Sequence, residues 1–279
     1  MTTSSSAVEV VTDRATRILA ANPGPMTLEG TNTWILREPG ASAVVVVDPG
    51  PLLEPHLQAV LDHVASIGCH VETVLLTHGH YDHSEGAAWF ASRAGCSVRS
   101  VDPTFRLPAE HDLLGDLLDG KVLADAQDLL DGQVLVVDDL RIEVLATPGH
   151  TADSVCFNLP DEGSLLTGDT VLGRGTSVVA HPDGTLAPYL DSLHRLQALQ
   201  GVARLLPGHG PAIENPAAVL AYYLQHRAER LDQVRAAVAA GATTPAEVVQ
   251  AVYAEVPPIL WPAAERSVRA QLDYLAAES

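Results

Sequence analysis

The chain has 279 residues, 47% of them hydrophobic, and a formal net charge of −19. That length and apolar content suffice for one large domain with a real core and a small second domain, while so negative a charge disfavours polyanionic partners. No apolar run could span a bilayer, no signal peptide is evident at residues 1–7, and three cysteines do not suit a disulfide framework, so we expect a cytoplasmic protein without a membrane partner.

Short apolar runs bounded by glycine, proline and polar residues predict that β-strands form much of the chain up to residue 215. The predicted strands are Thr33–Leu36, Ala43–Asp48, Val71–Thr77, Val98–Val101, Gln133–Val137, Arg141–Ala146, Ser154–Asn158, Ser164–Thr167 and Arg204–Leu206. Helical periodicity predicts helices at Glu54–Ile67, Ser84–Arg93 and Leu186–Leu199. Strands crowded in the middle with helices at the flanks are typical of an α/β protein with two sheets covered by helices on both sides.

The pattern becomes purely helical beyond Asn215-Pro216, which divides the chain into a predicted larger domain at 1–215 and a helical domain at 216–279. The predicted helices there are Ala217–Ala239, Thr244–Tyr253 and Pro262–Ala276. Residues 215–279 hold five arginines against seven acidic residues, which disfavours a nucleic-acid module. The favoured role is a cap that packs on the larger domain and lines its cleft or forms a contact in a homodimer. His226 and Arg227 could reach the cleft, but solvent-facing positions on the helix are favoured.

Seven potential metal ligands stand out along the larger domain. Four of them, His78, His80, Asp82 and His83, fall within six residues directly after a predicted strand. The other three each follow a glycine at the end of an apolar stretch, where the chain can turn sharply; they are His150, Asp169 and His209. A lone histidine in a loop is usually a surface residue, but seven such residues at strand ends predict one shared metal centre.

Their spacing predicts two neighbouring cation sites. In extended chain, residues two apart point the same way, so His78 and His80 can bind one metal, with His150 as third ligand. His209 would join Asp82 and His83 at a second site, and Asp169 can give one carboxylate oxygen to each cation. Imidazole and carboxylate suit zinc, with manganese or iron as alternatives. Two such cations lower the pKa of bound water from 15.7 to about 7, which provides a hydroxide to attack a carbonyl carbon or a phosphorus.

The ligand order HxHxDH, then His, Asp and His, resembles the metallo-β-lactamase superfamily of hydrolases. Three further segments are similar to its β-lactamase-like protein 2 branch, which has a C-terminal winged helix; they are Gly24–Trp34, Gly168–Gly173 and Leu260–Glu265. The resemblance implies a four-layer αββα sandwich with the metals at one edge. It also implies that Asp48 orients a ligand histidine through its ring N–H. Asp48, Asp82 and Asp169 are therefore the predicted catalytic carboxylates.

Departures from relatives narrow the function. None of the three cysteines falls at a ligand position, so antibiotic hydrolysis is not expected. Only 39 residues separate Asp169 from His209, which leaves no room for the large domain inserted there in related nucleases. The C-terminal third also lacks the basic cluster with which glyoxalase II relatives hold glutathione. These differences favour a small-molecule acyl substrate.

Three functions remain in competition. Hydrolysis of a small thioester or ester ranks first, a single-strand-specific endoribonuclease second, and a non-catalytic metal-dependent binding protein third. Residues 102–139 hold ten acidic residues against Arg106 and Lys121, which would repel RNA if they lie at the rim of the site and would otherwise form a solvated surface. The candidate substrate contacts are Asn32, Thr33, Thr151 and Tyr189.

Overall fold

Two β-sheets that face each other organise this computed structural model, which describes residues 8–102 and 127–278. The first sheet runs in the order β1 to β7, with strands Val8–Val10, Ala15–Leu19, Asn32–Leu36, Ala43–Val47, His70–Leu75, Ser97–Ser100 and Gln127–Asp128. The second has the order β12-β11-β10-β9-β8; in chain order, β8 to β12 are Val134–Val137, Leu140–Ala146, Val155–Leu159, Ser164–Gly168 and Arg204–Pro207. Helices α1 to α7 are Glu54–Ser66, Tyr81–Ser84, Ala87–Ala94, Leu186–Ala198, Pro216–Ala239, Pro245–Val252 and Trp261–Ala277.

Strand β4 shows how the first sheet is buried on both faces. Because side chains alternate along a strand, Val45 and Val47 point into the core between the sheets, where they join Phe157 of the second sheet. Val44 and Val46 point the other way and pack with apolar residues of α1 and α3. A strand with four consecutive valines is therefore suited to an interior layer instead of a sheet with one face exposed to water.

The outer face of the second sheet is covered in turn by α4 and α5. Leu165 and Leu205 of this sheet share one buried cluster with Leu193 of α4 and Tyr223 of α5. The order of layers is thus helix, sheet, sheet, helix, which confirms the predicted αββα sandwich.

Parallel strand pairs bring distant chain segments to one edge. β4 pairs with β5 in parallel, with Val47 opposite Leu75. β11 pairs with β12 in parallel, with Leu166 opposite Leu206. Because parallel strands end at the same edge of a sheet, the residues that follow these four strands are placed near one another.

The C-terminal helices have a small core of their own and also pack on the sandwich. Val234, Val248, Val249 and Val268 form the buried centre that joins α5, α6 and α7. α6 begins with a capping box, in which the Thr244 side chain accepts from the Glu247 backbone and the Glu247 side chain accepts in return. No helix in the described ranges is long and apolar enough to cross a membrane.

Some details differ from the sequence-based expectation, and one expected feature lies partly outside the described residues. The strands β1 and β2 were not predicted, since they are short and the second is interrupted by Thr16 and Arg17. The single helix predicted at 84–93 is two helices, α2 and α3, because Gly86 lies against the backbone of Gly50, to whose carbonyl it donates at 2.9 Å. Of the acidic stretch 102–139, residues 103–126 lie outside the described residues.

Candidate metal centre

Strand ends from both sheets deliver the seven ligand-type side chains to one place. His78 follows β5 in the first sheet, and the short helix α2 directly after it carries Asp82 and His83. His150, Asp169 and His209 follow β9, β11 and β12 of the second sheet. The centre therefore lies where the ends of the two sheets meet.

The first group consists of three imidazoles. Nδ1 of His80 lies 3.1 Å from Nε2 of His78 and 3.1 Å from Nε2 of His150. The rings of His80 and His150 are nearly perpendicular, with centroids 4.8 Å apart, so the two rings do not stack face to face. His78, His80 and His150 form one of the groups whose ligand atoms all lie within 4.8 Å of one another.

The second group combines two imidazoles with a carboxylate. Nε2 of His83 lies 3.2 Å from Nε2 of His209, and Oδ2 of Asp82 lies 3.1 Å from that same His209 nitrogen. His83 and His209 are fully buried, whereas the Asp82 side chain keeps 28% exposure. Asp82 thus marks the open side of this group.

Asp169 lies between the two groups. Its Oδ1 is 3.4 Å from Nε2 of His83, and its Oδ2 is 3.4 Å from Nε2 of His209 and 3.7 Å from Nε2 of His150. Oδ1 is buried yet has no hydrogen-bond partner among the described residues. A buried carboxylate oxygen without a donor is costly, and a cation would remove that cost.

Hydrogen bonds behind the histidines turn their Nε2 atoms towards the centre. Nδ1 of His150 donates to the carbonyl oxygen of Val178 at 2.7 Å, and Nδ1 of His209 donates to that of Gly30 at 3.0 Å. With Nδ1 engaged in this way, each ring can present Nε2 to a metal. Both rings are oriented by backbone carbonyls, which cannot be recognised from the sequence.

A carboxylate and a hydroxyl orient the remaining buried histidines. Oδ2 of Asp48 lies 2.8 Å from Nδ1 of His83 and accepts from the Thr77 hydroxyl at 2.6 Å. The same hydroxyl lies 3.0 Å from Nδ1 of His78. Thr77 thus connects Asp48 to a histidine of the first group, a role that the sequence analysis did not assign to it.

The two groups differ in charge. Burial lowers the pKa of His150 to about 4 and that of His78 well below its usual value, so both rings are neutral. At His209 burial acts in the same direction, but Asp169 and Asp82 outweigh it and raise the pKa to about 9. Burial opposes the ionisation of Asp82, yet His83 and His209 lower its pKa to about 2. The carboxylates of Asp82 and Asp169 therefore favour a positive charge in the second group. A divalent cation would supply that charge.

Glycines before the ligands serve two different purposes. Gly168, before Asp169, has φ of 47°, and a Cβ there would lie 2.6 Å from Oγ1 of Thr77. Gly208, before His209, has no such backbone requirement, but a Cβ would lie 2.6 Å from Cε1 of His83 and 2.7 Å from Oδ1 of Asp169. The sharp turn inferred from sequence holds at Gly168, whereas Gly208 makes room for the ligands themselves.

The four candidate substrate contacts all lie inside the protein wall. Asn32 donates to the carbonyls of Pro207 and Gly210, and Thr33 lies 2.9 Å from Nε2 of His56. Thr151 donates to Asp153 at 2.6 Å, and the Tyr189 hydroxyl donates to the Thr170 carbonyl at 2.7 Å. Each side chain is at most 1% exposed, so this geometry does not favour a direct contact with substrate.

Comparisons with known proteins agree with this architecture. A family model described as the metallo-β-lactamase superfamily matches residues 26–209, and one described as the β-lactamase associated winged helix domain matches residues 244–279. The β-lactamase-like protein 2 homologue of Caenorhabditis elegans is 31% identical over 272 residues, covering 97% of this chain and 87% of the relative. The atrochrysone carboxyl ACP thioesterase of Aspergillus fumigatus is 33% identical over 262 residues, covering 90% of this chain and 76% of the relative.

A solved structure extends the similarity to the whole fold. The crystal structure of a metallo-β-lactamase family protein from Thermus thermophilus superposes with a TM-score of 0.77 at 25% identity, covering 96% of this chain and 95% of that one. The alignment thus includes the C-terminal helices as well as the sandwich. The chain belongs to the metallo-β-lactamase superfamily of hydrolases, and it carries the associated winged-helix domain at its C-terminus.

Proposed function

We propose that this hydrolase holds two divalent cations, with zinc as the preferred metal, and cleaves a small thioester or ester. The position of Asp169 carries the dinuclear part of the proposal, because its two oxygens face histidines of both groups. His78, His80 and His150 would hold one cation, and Asp82, His83 and His209 the other. Three imidazoles, or two with a carboxylate, are ligand sets that zinc commonly takes.

Bound cations of this kind acidify a water molecule and polarise the oxygen of a scissile carbonyl. The chain's own contribution is orientation. Asp48 and Thr77 hold the rings of His83 and His78, and the carbonyls of Val178 and Gly30 hold those of His150 and His209. Asp82 is the more exposed of the two carboxylates, so it is the one able to accept a hydrogen bond from water on the open side.

Two observations favour an acyl substrate over RNA. The relative from Aspergillus fumigatus is named as a thioesterase and is similar over 90% of this chain. A net charge of −19 opposes the phosphate contacts that supply most of the affinity for nucleic acid. The free thiols of Cys69, Cys96 and Cys156 support the further proposal of a reducing, cytoplasmic location.

The test is a side-by-side assay of the zinc-loaded protein on acyl-CoA thioesters and on a labelled single-stranded RNA. We expect thioester turnover with a shallow salt dependence, abolished by His80→Ala, and weak RNA binding at physiological salt. Metal-dependent RNA cleavage at physiological salt without turnover of any acyl substrate would replace this proposal with the ribonuclease. Tight zinc binding without turnover of either class would favour the non-catalytic binding protein.

A further inference from the structure

A groove of about 260 Å³ lies between the C-terminal helices and the segment 176–178. Arg227 and Arg230 of α5 form part of its lining, together with Tyr253 after α6 and Ala263 in α7. The groove therefore lies where the winged-helix domain meets the sandwich.

One wall of the groove also supports the metal centre. The carbonyl of Val178 accepts from Nδ1 of His150 at 2.7 Å, and Ser177 Oγ lies 3.2 Å from that nitrogen. The carbonyl of Ser177 accepts from Nη2 of Arg227. Two adjacent residues thus contact a ligand histidine on one side and the groove on the other.

The basic side chains of this groove lack acidic partners among the described residues. Arg227 is only 6% exposed, against the expectation of a solvent-facing position, because it packs under the segment 176–178. Arg227 forms no ion pair with a described carboxylate. Its buried Nε also has no hydrogen-bond partner among the described residues. Its other neighbour is the ring of Tyr189, whose centroid lies 5.0 Å away. A buried guanidinium without a carboxylate is costly unless an anion comes to it.

Arg230 repeats this arrangement nearer the surface. Its Nη1 donates to the carbonyl of Val252 at 2.8 Å and to the side chain of Gln233, and its guanidinium lies 4.3 Å from the centroid of the Tyr253 ring. None of the described residues that line the groove is an aspartate or glutamate. Burial lowers the pKa of His226, and the positive charges of Arg227 and Arg230 lower it further. The groove is thus locally positive in a strongly acidic chain.

Much of the remaining lining of the groove is apolar. It includes Val256, Leu260, Ala263 and Ala264, together with Met26 of the larger domain. A ligand that matches this lining has an apolar chain with a negative charge at one end. Guanidinium groups bind the planar oxygens of carboxylate, or those of phosphate, through paired hydrogen bonds.

We propose that this groove binds the substrate portion remote from the scissile carbonyl, and that it selects an apolar chain that ends in an anionic group. The inference rests on the proposed acyl hydrolysis, since it names the substrate class for that same site. The anion is a carboxylate on the acyl group or a phosphate on the thiol carrier. These two sources share the same chemistry at Arg227 and Arg230.

The kinetic test uses the full-length, zinc-loaded protein and three thioesters. Hexanoyl-N-acetylcysteamine is neutral, adipoyl-N-acetylcysteamine carries a terminal carboxylate, and hexanoyl-CoA carries phosphates. Arg230→Gln should raise KM about tenfold for one of the anionic substrates with little change in kcat, because a charge-assisted hydrogen bond is lost. A rise for the adipoyl thioester assigns the groove to the acyl carboxylate, and a rise for hexanoyl-CoA assigns it to the carrier phosphate.

Arg235→Gln is the matched control, since Arg235 lies on the same helix but pairs with Asp232 and Glu278 outside the groove. It should leave all three KM values unchanged. Equal effects of Arg230→Gln on neutral and anionic thioesters, or no effect on any, would overturn the inference.

A binding measurement separates this inference from the proposed reaction. Monomethyl adipate and hexyl phosphate are titrated calorimetrically into the same full-length protein. Arg230→Gln should weaken the binding of one of them about tenfold, whereas Arg235→Gln should not. Weaker binding in Arg230→Gln alone, without turnover of any thioester, would reject the proposed function and retain the anion site. Unchanged binding in Arg230→Gln would reject the anion site.

Discussion

Oδ2 of Asp48 accepts two hydrogen bonds in the buried centre, one from the Thr77 hydroxyl at 2.6 Å and one from Nδ1 of His83 at 2.8 Å. Oδ1 accepts a third, from the Thr77 backbone N–H at 2.8 Å. Asp48 has φ of 51°, a left-handed conformation that aspartate and asparagine tolerate better than most residues. The carboxylate is thus fixed by its own backbone and by three donors, and it fixes the ring of His83 in turn.

Asp48→Asn should reduce zinc affinity by about 10- to 100-fold, the usual effect of losing a partner that orients a ligand histidine. Asparagine at this position keeps the backbone conformation. Its side-chain N–H group, however, would face one of the three groups that donate to the Asp48 carboxylate. The measurement is chelator competition for zinc on the folded protein. Asp138→Asn is the matched control, because Asp138 also has a positive φ, of 49°, but is exposed and accepts from the Ala43 backbone N–H instead of a ligand histidine. Equal zinc affinity in the two variants would rule out an orienting role for Asp48.

The dinuclear proposal predicts two zinc ions per chain at saturation. Asp169→Ala should reduce binding at both positions, because the carboxylate faces both groups, whereas His209→Ala should mainly empty one. Elemental analysis after removal of free metal gives the count. Substitution of His194 by alanine, at an exposed position on α4, controls for the loss of a histidine elsewhere. One tightly held zinc in the unmodified protein would contradict the bridging role.

The convergence of the ligand side chains could be expected from the sequence, because it depends on the residues directly around each ligand. His78, His150, Asp169 and His209 each follow a strand, and parallel strands of one sheet end at the same edge. Glycines before three of them mark the tight turns or close approaches that the centre needs. Residue type and position along a strand are both visible in a sequence.

What the sequence could not show depends on contacts between distant segments. The carbonyls of Gly30 and Val178 orient two histidines, but every residue has a carbonyl. Arg227 lies on a long helix with no clear polar face, so its burial depends on how α5 packs against the segment 176–178. The sequence also does not show that the four candidate substrate contacts are buried and form hydrogen bonds within the protein; they are Asn32, Thr33, Thr151 and Tyr189.

Stability in acid should depend on His56, which is buried on α1 with Nε2 2.9 Å from the Thr33 hydroxyl. Burial lowers its pKa to about 4, against about 6.5 in the unfolded chain. Between these two pH values the folded state therefore binds fewer protons than the unfolded chain. The contribution of neutral His56 to the free energy of unfolding is complete above pH 6.5 and is lost as the pH falls towards 4.

The comparison is between the wild type and His56→Gln, which stays neutral throughout. The free energy of unfolding of the wild type should fall relative to that of the variant by about 3 kcal/mol between pH 7 and pH 4. Loss of metal in acid affects both proteins and cancels in this difference. His70→Gln, at an exposed position, serves as control. A constant difference across this range would show that His56 titrates normally in the folded protein.

The C-terminal helices should be required for the stability of the sandwich. Tyr223 of α5 is fully buried in the cluster that covers the second sheet, and its hydroxyl accepts from the Leu172 backbone N–H at 2.8 Å. Tyr223→Ala should lower the free energy of unfolding by about 3–5 kcal/mol, as for other large core aromatics. Chemical denaturation measures this change. The neighbouring Tyr222 is 53% exposed, so Tyr222→Ala should change stability by about 0.5 kcal/mol or less.

Truncation after Asn215 tests the same interface as a whole. It removes Leu220, Tyr223 and Leu231 from a cluster that they share with Leu165 and Leu205 of the second sheet. The remaining chain would expose this apolar face, so we expect an insoluble or weakly folded protein. A soluble fragment with unchanged activity on small thioesters would contradict the role of a structural cap. If that fragment had also lost affinity for RNA, the helices would instead be a nucleic-acid-binding module. The endoribonuclease would then become the favoured function.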